Sequence, residues 1–180
     1  MTKDAIASLL LANHARFVHQ LNGLRDEEFY HSPQGKWNAA QQLDHIIKSV
    51  SAVAFAFSVP KFIVQWKFGK ANRPSKTYEE LVDKYKRKLQ EGYIANGRFS
   101  AGEISPGQKK IMLVKLTKLV DRLARRTKGL SEASLDKYIL PHPLLGKLTF
   151  REMLYFTAYH VNHHAALVEK GLERYLAVTP

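Results

Sequence analysis

A chain of 180 residues with 45% hydrophobic and 11% aromatic residues is long and apolar enough to fold around a hydrophobic core, and this composition excludes a disordered protein. The absence of cysteine excludes disulfide bonds, thiolate metal sites and a catalytic cysteine, so any thiol chemistry needs an external thiol. The net charge of +12 is compatible with nucleic acid or an anionic membrane as a partner, but no stretch approaches the roughly 18–20 apolar residues of a membrane span.

The N-terminal segment does not have the pattern of a secretory signal peptide. Its apolar run Leu9-Leu10-Leu11 lies within an amphipathic stretch and is followed directly by His14 and Arg16. We therefore expect a cytoplasmic protein with no membrane association, folded as a single domain over residues 1–180.

The first long helix is predicted over residues 3–24. Apolar residues recur there with the spacing of one helix face, at Ile6, Leu10, Phe17 and Leu21. Residues 25–35 are predicted to form a connector, because Pro33 and Gly35 interrupt the helical pattern.

The second long helix is predicted from Asn38, a favourable N-cap residue, to Pro60. Its apolar residues keep helical spacing throughout, at Leu43, Ile46, Ile47, Val50, Val53, Ala54 and Phe57. The segment 61–76 contains Gly69 and Pro74 and is predicted to be irregular.

A shorter helix is predicted to begin at a capping box formed by Thr77 and Glu80. It ends where the glycine-rich segment 92–107 begins, which is predicted to be a loop. Ser105 is predicted to cap the third long helix, which continues to Lys128.

The last long helix is predicted to follow a second connector over residues 131–147, in which no strand pattern is convincing. Thr149 and Glu152 match a further capping box at its start. The helix is predicted to continue to Lys170 and to end at Gly171, since glycine is common just past a helix C-terminus.

Four long helices with one short helix between the second and the third indicate an all-α protein. We predict an antiparallel four-helix bundle with one long crossover connection that contains the additional short helix. Periodicity alone does not give the order of the helices around the bundle.

Two histidines replace apolar residues on the predicted inner face of the last helix. That face is defined by steps of three and four residues, through Met153, Thr157, His160, His164 and Leu167. The two histidines lie one turn apart, about 6 Å along the axis, at a spacing that allows both imidazoles to bind one metal ion. His163 is rotated by about 100° and lies at the edge of this face.

Two imidazoles do not complete a metal site, and His45 on the second helix is the candidate for the third ligand. It lies at the edge of the apolar face beside small residues, and it is 115 positions before His160. A surface or hydrogen-bonded core position is the alternative for each histidine. His14, on the inner face of the first helix, is a fourth candidate, whereas surface or loop positions are predicted for His19, His31 and His142.

Three short motifs resemble those of the DinB-like (DinB/YfiT-like) family. Gly35-Lys36-Trp37-Asn38, followed by Gln42-Leu43-Asp44-His45-Ile46, resembles the start of the family's second helix. The loop motif is His142-Pro143-Leu144-Leu145-Gly146-Lys147-Leu148-Thr149, and the closing H-x-x-H-H motif is Tyr159-His160-Val161-Asn162-His163-His164. The three motifs occur in the family's order and spacing.

The resemblance implies a four-helix bundle with a divalent metal ion bound by His45, His160 and His164. His163 matches a histidine of the family that is frequently present but is not a ligand. Three neutral imidazoles suit Zn, Ni or Fe, and the sequence does not choose between these metals. A site with three protein ligands leaves a coordination position for water or substrate, as in catalytic sites.

Two kinds of metal-dependent chemistry fit this site. The metal could activate water for hydrolysis, or it could activate a small thiol, as in the family's thiol-dependent S-transferases and isomerases. The predicted partner is accordingly a small-molecule substrate, with a low-molecular-weight thiol as one candidate. The H-E-x-x-H metalloprotease motif is excluded because Val161 follows His160. Asp44 is either a hydrogen-bond partner of a ligand or an exposed residue, and no general base is identified.

The main alternative is a metal-binding module without catalysis, with a binding or stress-response role. Nucleic-acid binding rests on the net charge alone and is not favoured. The lysines and arginines are predicted to lie on solvated faces of the predicted short helix and of the third long helix. A homodimer is left open.

Overall fold

The computed structural model describes residues 1–32, 35–92 and 97–178, without the side chain of Val178, and the structural statements below concern this part of the chain. Pro33, used above to place the first connector, lies outside it. The elements are α1 (Lys3–Asn22), α2 (Asp26–Tyr30), α3 (Ala39–Ala56), α4 (Lys61–Phe68), α5 (Tyr78–Gln90), a 3₁₀ turn (Gly97–Phe99), α6 (Lys109–Lys128), α7 (Glu132–Lys137), β1 (Ile139–His142), β2 (Gly146–Thr149) and α8 (Phe150–Val178).

The predicted all-α fold with four long helices is confirmed, and the structure adds the order of the helices. Helix α1 packs against α6 and α8, and α3 packs against the same two helices, so the order around the bundle is α1, α6, α3, α8. Contacts of α3 with α8 pair Gln42 with His164 and Phe57 with Phe150, so these two helices run in opposite directions. The crossover through α4 and α5 makes α3 and α6 parallel neighbours, with Arg126 bonded to the carbonyl of Ala54.

Three predicted helix starts are confirmed by their capping hydrogen bonds. Asn38 accepts a hydrogen bond from the Gln41 amide over 2.8 Å at the start of α3. The predicted capping box of Thr77 and Glu80 begins α5. At the start of α8, the Thr149 amide donates to the Glu152 carboxylate and the Glu152 amide donates to the Thr149 hydroxyl.

The prediction of an irregular segment over residues 61–76 is wrong, because α4 occupies its first half. This helix has two turns and ends at Gly69, whose φ of 85° suits glycine. Eight residues are too few for a clear apolar periodicity. The short helix α2 in the first connector was missed for the same reason, although Phe29 anchors it in the core.

The second connector also contains structure that the sequence did not predict. Helix α7 is followed by an antiparallel hairpin, in which β1 pairs with β2 from Ile139 opposite Thr149 to His142 opposite Gly146. Four-residue strands are too short to show alternation of apolar and polar residues, and β1 contains a proline. The hairpin places His142 close to the inner face of α8.

The ends of two long helices differ from the prediction. Helix α6 begins at Lys109, four residues after Ser105, and continues to the predicted Lys128. Helix α8 continues past Gly171 to Val178. A glycine inside a helix lowers the stability of the helix by only about 1 kcal/mol relative to alanine, so it does not have to end the helix. Packing supports this extension, because the Tyr175 ring lies 4.6 Å from the ring of His31.

The hydrophobic core fills the bundle between the four long helices. Its fully buried side chains come from all four, and include Ile6, Leu10, Leu21, Leu43, Leu116, Leu123 and Leu154. The predicted inner face of α8 is confirmed at Met153, Thr157, His160 and His164, but Leu167 is 38% exposed. In the described residues no single helix is long and apolar enough to cross a membrane. Only α3 and α4 taken together have the required length and apolar composition, and the two helices are bent by 104° relative to each other.

Candidate metal centre

The three predicted ligands lie on two neighbouring helices of the bundle. His45 is on α3, and His160 and His164 are on the facing side of α8, one turn apart. Each is buried, with 5–6% of its surface exposed. The opposite directions of α3 and α8 bring residues 115 positions apart in sequence to the same level of the bundle.

The Nε2 atoms of these histidines meet at one point. The Nε2 atom of His160 lies 3.2 Å from that of His45 and 2.9 Å from that of His164. The possible ligand atoms of the three residues all lie within 4.8 Å of one another. The predicted convergence is therefore confirmed, and the group could hold a metal ion.

The outward ring nitrogens of two of these histidines are held by oxygen acceptors. The Nδ1 atom of His45 lies 2.7 Å from the carbonyl oxygen of Phe99, and that of His164 is bonded to the side-chain oxygen of Gln42. Because both oxygens only accept, Nδ1 carries the proton in each ring. The neutral form then has its lone pair on Nε2, directed at the common point.

This arrangement is unfavourable without a cation. His160 has at most one proton on Nε2 and can donate it to only one of its two neighbours, so a lone pair faces another lone pair in the group. Nitrogen ligands at about 2.0–2.1 Å from one zinc ion lie about 3.3 Å apart in a tetrahedral site, close to the separations found here. The three residues therefore fit a divalent metal.

Burial keeps these imidazoles in the neutral form that binds metals. Burial first, and then the neighbouring histidines, lowers the pKa of His160 and of His164 well below the usual value. The pKa of His45 is also lowered by burial, although the hydrogen bond to Phe99 opposes the shift. Protons therefore compete weakly for the three Nε2 atoms at neutral pH.

A cavity of about 1170 Å³ connects the three histidines with the surface. It passes between α3, α4, α8 and the β1–β2 hairpin, and its walls are mostly apolar, with Trp37, Val53, Leu140, Met153 and Phe156 among them. The cavity is large enough for a small-molecule substrate. The histidines form part of its lining, so a ligand in the cavity reaches them.

His163 lies in the cavity wall and is not a member of the three-histidine group. It is half-buried, and its ring contacts that of Tyr85 with the centroids 5.8 Å apart. Burial first, then the charges of His45 and Lys170, lowers its pKa. This position agrees with the predicted rotation around the helix.

The prediction of a surface or loop position for His142 is wrong. It ends β1, is half-buried in the cavity wall, and its ring lies 4.2 Å from that of Phe156. Its Nδ1 atom accepts hydrogen bonds from the amides of Leu144 and Leu145, so its proton is on Nε2. Burial, with a smaller effect of Lys84, lowers its pKa to about 4. His142 is therefore a neutral hydrogen-bond donor, and the only sequence signal for it was the loop motif.

The acids nearest the ligands in sequence are occupied elsewhere. Asp44 pairs with Lys48 over 2.7 Å and accepts from the amide of Gly102. Glu152 is fully buried and bonded to Arg73. Within the described ranges no Asp or Glu lines the cavity, so the structure supplies no carboxylate as a general base there.

His14, the fourth candidate, is buried away from this group. Its Nδ1 atom donates to the carbonyl of Leu10, and among the described residues its Nε2 atom has no hydrogen-bond partner. Burial lowers its pKa from 6.5 to about 4, despite the opposing bond to Leu10. His14 is therefore an isolated neutral histidine in the core.

His14 is expected to make the fold sensitive to acid. Its folded-state pKa is below its unfolded-state value, so its contribution is complete above pH 6.5 and is lost as the pH falls toward about 4. Between about pH 7.5 and about pH 5 this corresponds to about 2 kcal/mol. Urea unfolding of the wild type and His14→Leu at both pH values should show a smaller acid loss in the variant. Equal losses in the two proteins would contradict this assignment.

Comparison with known proteins identifies the family of the chain. The model of a family described as the DinB superfamily matches residues 9–168, a range that contains all three histidines. No curated protein and no solved structure is significantly similar to the chain.

Proposed function

The chain belongs to the DinB superfamily, and from this we propose that it is a metal-dependent enzyme that transfers a small thiol to an electrophilic substrate. The observation that carries the proposal is the meeting of three Nε2 atoms in the lining of a large cavity. His45, His160 and His164 would hold the ion, with the Phe99 carbonyl and the Gln42 amide orienting two of the rings. A compartment that keeps small thiols reduced, such as the cytoplasm, belongs to this proposal.

A divalent ion such as Zn²⁺, Ni²⁺ or Fe²⁺ lowers the pKa of a thiol or water that binds to it. The two choices differ in what they need from the protein. Hydrolysis by activated water commonly uses a carboxylate base, and Asp44 and Glu152 are held by other partners. A thiol is acidic enough to lose its proton to solvent without such a base. The cavity therefore favours thiol transfer over hydrolysis.

The overall reaction joins the thiol sulfur to an electrophilic carbon. The S–H proton is released to solvent, the sulfur electron pair forms the new C–S bond, and the leaving group departs with the electron pair of the broken bond. The walls of the cavity in which these atoms would meet are mostly apolar. The Nε2–H group of His142 is available to donate a hydrogen bond to the electrophile or its leaving group.

The proposal is tested with untagged protein, 1-chloro-2,4-dinitrobenzene and a panel of thiols that includes glutathione, N-acetylcysteine and 2-mercaptoethanol. We expect at least one thiol to be conjugated faster than in the uncatalysed reaction, with the rate lost on chelation and in His160→Ala and restored to the wild type by added metal. Metal-dependent hydrolysis of 4-nitrophenyl acetate without thiol acceleration would support a hydrolase instead. Stoichiometric metal with neither activity would support the non-catalytic binding module.

A further inference from the structure

The charged side chains that line the cavity all have the same sign. Within the described residues five basic side chains and no acidic side chain contribute to the lining: Lys36, Lys67, Arg98, Lys170 and Arg174. All five are exposed at the mouth, and in this part of the chain none of them forms an ion pair with Asp or Glu. Their charges are therefore available to a ligand.

Two of these residues lie near the C-terminal end of α8, Lys170 at the last position of the predicted helix and Arg174 on the part that extends beyond it. Lys170 and Arg174 are one turn apart and therefore lie on one face of the helix. Gly171, beside them in the lining, has no side chain that would narrow the cavity. The contact of Tyr175 with His31 packs this part of the helix against the rest of the protein.

The order of the lining residues along α8 indicates the order of chemical groups along a ligand. The ligand histidine His164 is followed in the lining by the apolar Leu167 and then by Lys170 and Arg174. At 1.5 Å per residue, the basic pair begins about 9 Å and ends about 15 Å along the axis from His164. Lys170 is close enough to His163 for its charge to act on that imidazole.

We propose that Lys170 and Arg174 bind an anionic group, a carboxylate or a phosphate, at the end of the substrate that is distant from the three histidines. The middle of the substrate is apolar and contacts the cavity wall at Leu167. Only the identity of its reacting end rests on the proposed thiol transfer, because the anion site is built from residues that do not touch the metal centre.

A screened, exposed charge contributes little by itself, but two cations on one face act on the same anion. Together they are expected to strengthen binding by about tenfold over a neutral ligand of equal length. Added salt should reduce this preference, because the pair is at the mouth of the cavity.

The test compares decanoate with decanol, which share an apolar chain and differ in the charged end. Calorimetric titration of the chelated protein excludes binding of the carboxylate to a metal. We expect decanoate to bind about tenfold more tightly, and the double variant Lys170→Ala, Arg174→Ala to lose this preference while its affinity for decanol is unchanged. The matched control is Lys118→Ala, Arg122→Ala, an exposed pair of the same residue types and spacing on α6.

Equal affinities for decanoate and decanol in the wild type, or a preference that survives in the Lys170 and Arg174 double variant, would overturn the inference. A preference lost equally in the α6 control would overturn it as well, because net charge would then be the cause. Since the titration uses metal-free protein, it is independent of the proposed reaction. Failure of the thiol assay with a retained decanoate preference would reject the reaction and leave the anion site in place.

Discussion

Replacing His164 with alanine is expected to abolish metal binding, whereas replacing His163 is expected to preserve it. His164→Ala removes one of three convergent Nε2 atoms and leaves the side-chain oxygen of Gln42 without its partner. His163 points about 100° away around the helix and is not part of the group. Its removal should lower the metal affinity by at most about 10- to 100-fold, which is the effect expected for a residue beside the ligands.

Elemental analysis of untagged wild type and both variants, each loaded with one equivalent of Zn²⁺ and desalted, measures this difference. Each variant is the control for the other, because both replace a histidine with alanine at neighbouring positions of α8. A variant His163→Ala that loses the metal, together with His164→Ala that keeps it, would require a site rebuilt around His163.

Replacing Glu152 with alanine is expected to cause a large loss of stability, about 3–5 kcal/mol in the free energy of unfolding. Its buried carboxylate binds Arg73 over 2.6 and 2.9 Å and accepts from the amides of Lys76 and Thr149. The substitution therefore leaves the buried amide of Thr149 and the partly buried donors of Arg73 and Lys76 without their acceptor, and it releases the segment before α5 from the start of α8.

The protonation of Glu152 gives the expected pH dependence. Burial acts to raise its pKa, but the bonds from Arg73, Lys76 and Thr149 outweigh burial, so the pKa lies below its usual value of 4.5. Its contribution is therefore present above pH 4.5 and is lost as the pH falls below it.

Urea unfolding of Glu152→Ala, with Glu79→Ala as the control at an exposed position of α5, measures the effect at neutral pH. The control should change stability by no more than about 0.5 kcal/mol. A loss below about 1 kcal/mol in Glu152→Ala would show that the carboxylate does not hold these segments together.

The four long helices could be predicted from the sequence because each has a sustained apolar periodicity, and the starts of α3 and α8 are also marked by clear caps at Asn38 and Thr149. Helix α4 and the β1–β2 hairpin could not, because eight-residue helices and four-residue strands depend on tertiary contacts more than on local pattern. The extension of α8 past Gly171 depends on such a contact, between Tyr175 and His31.

The candidate site was predicted to a similar extent. The pair His160 and His164 followed from helix geometry alone, because both lie on the inner face. His45 needed the family resemblance, since periodicity does not show which distant helix faces α8. His142 and Gln42 could be assigned only from their hydrogen bonds in the folded protein.

The central claim is that a metal held by His45, His160 and His164 has an open position for a thiol. The most direct measurement is the near-ultraviolet absorption of the protein loaded with one equivalent of Co²⁺, recorded before and after addition of a small thiol. A sulfur-to-cobalt charge-transfer band should appear with saturable dependence on thiol concentration, and it should be absent in His164→Ala. A cobalt spectrum that the thiol leaves unchanged in the wild type would contradict the claim.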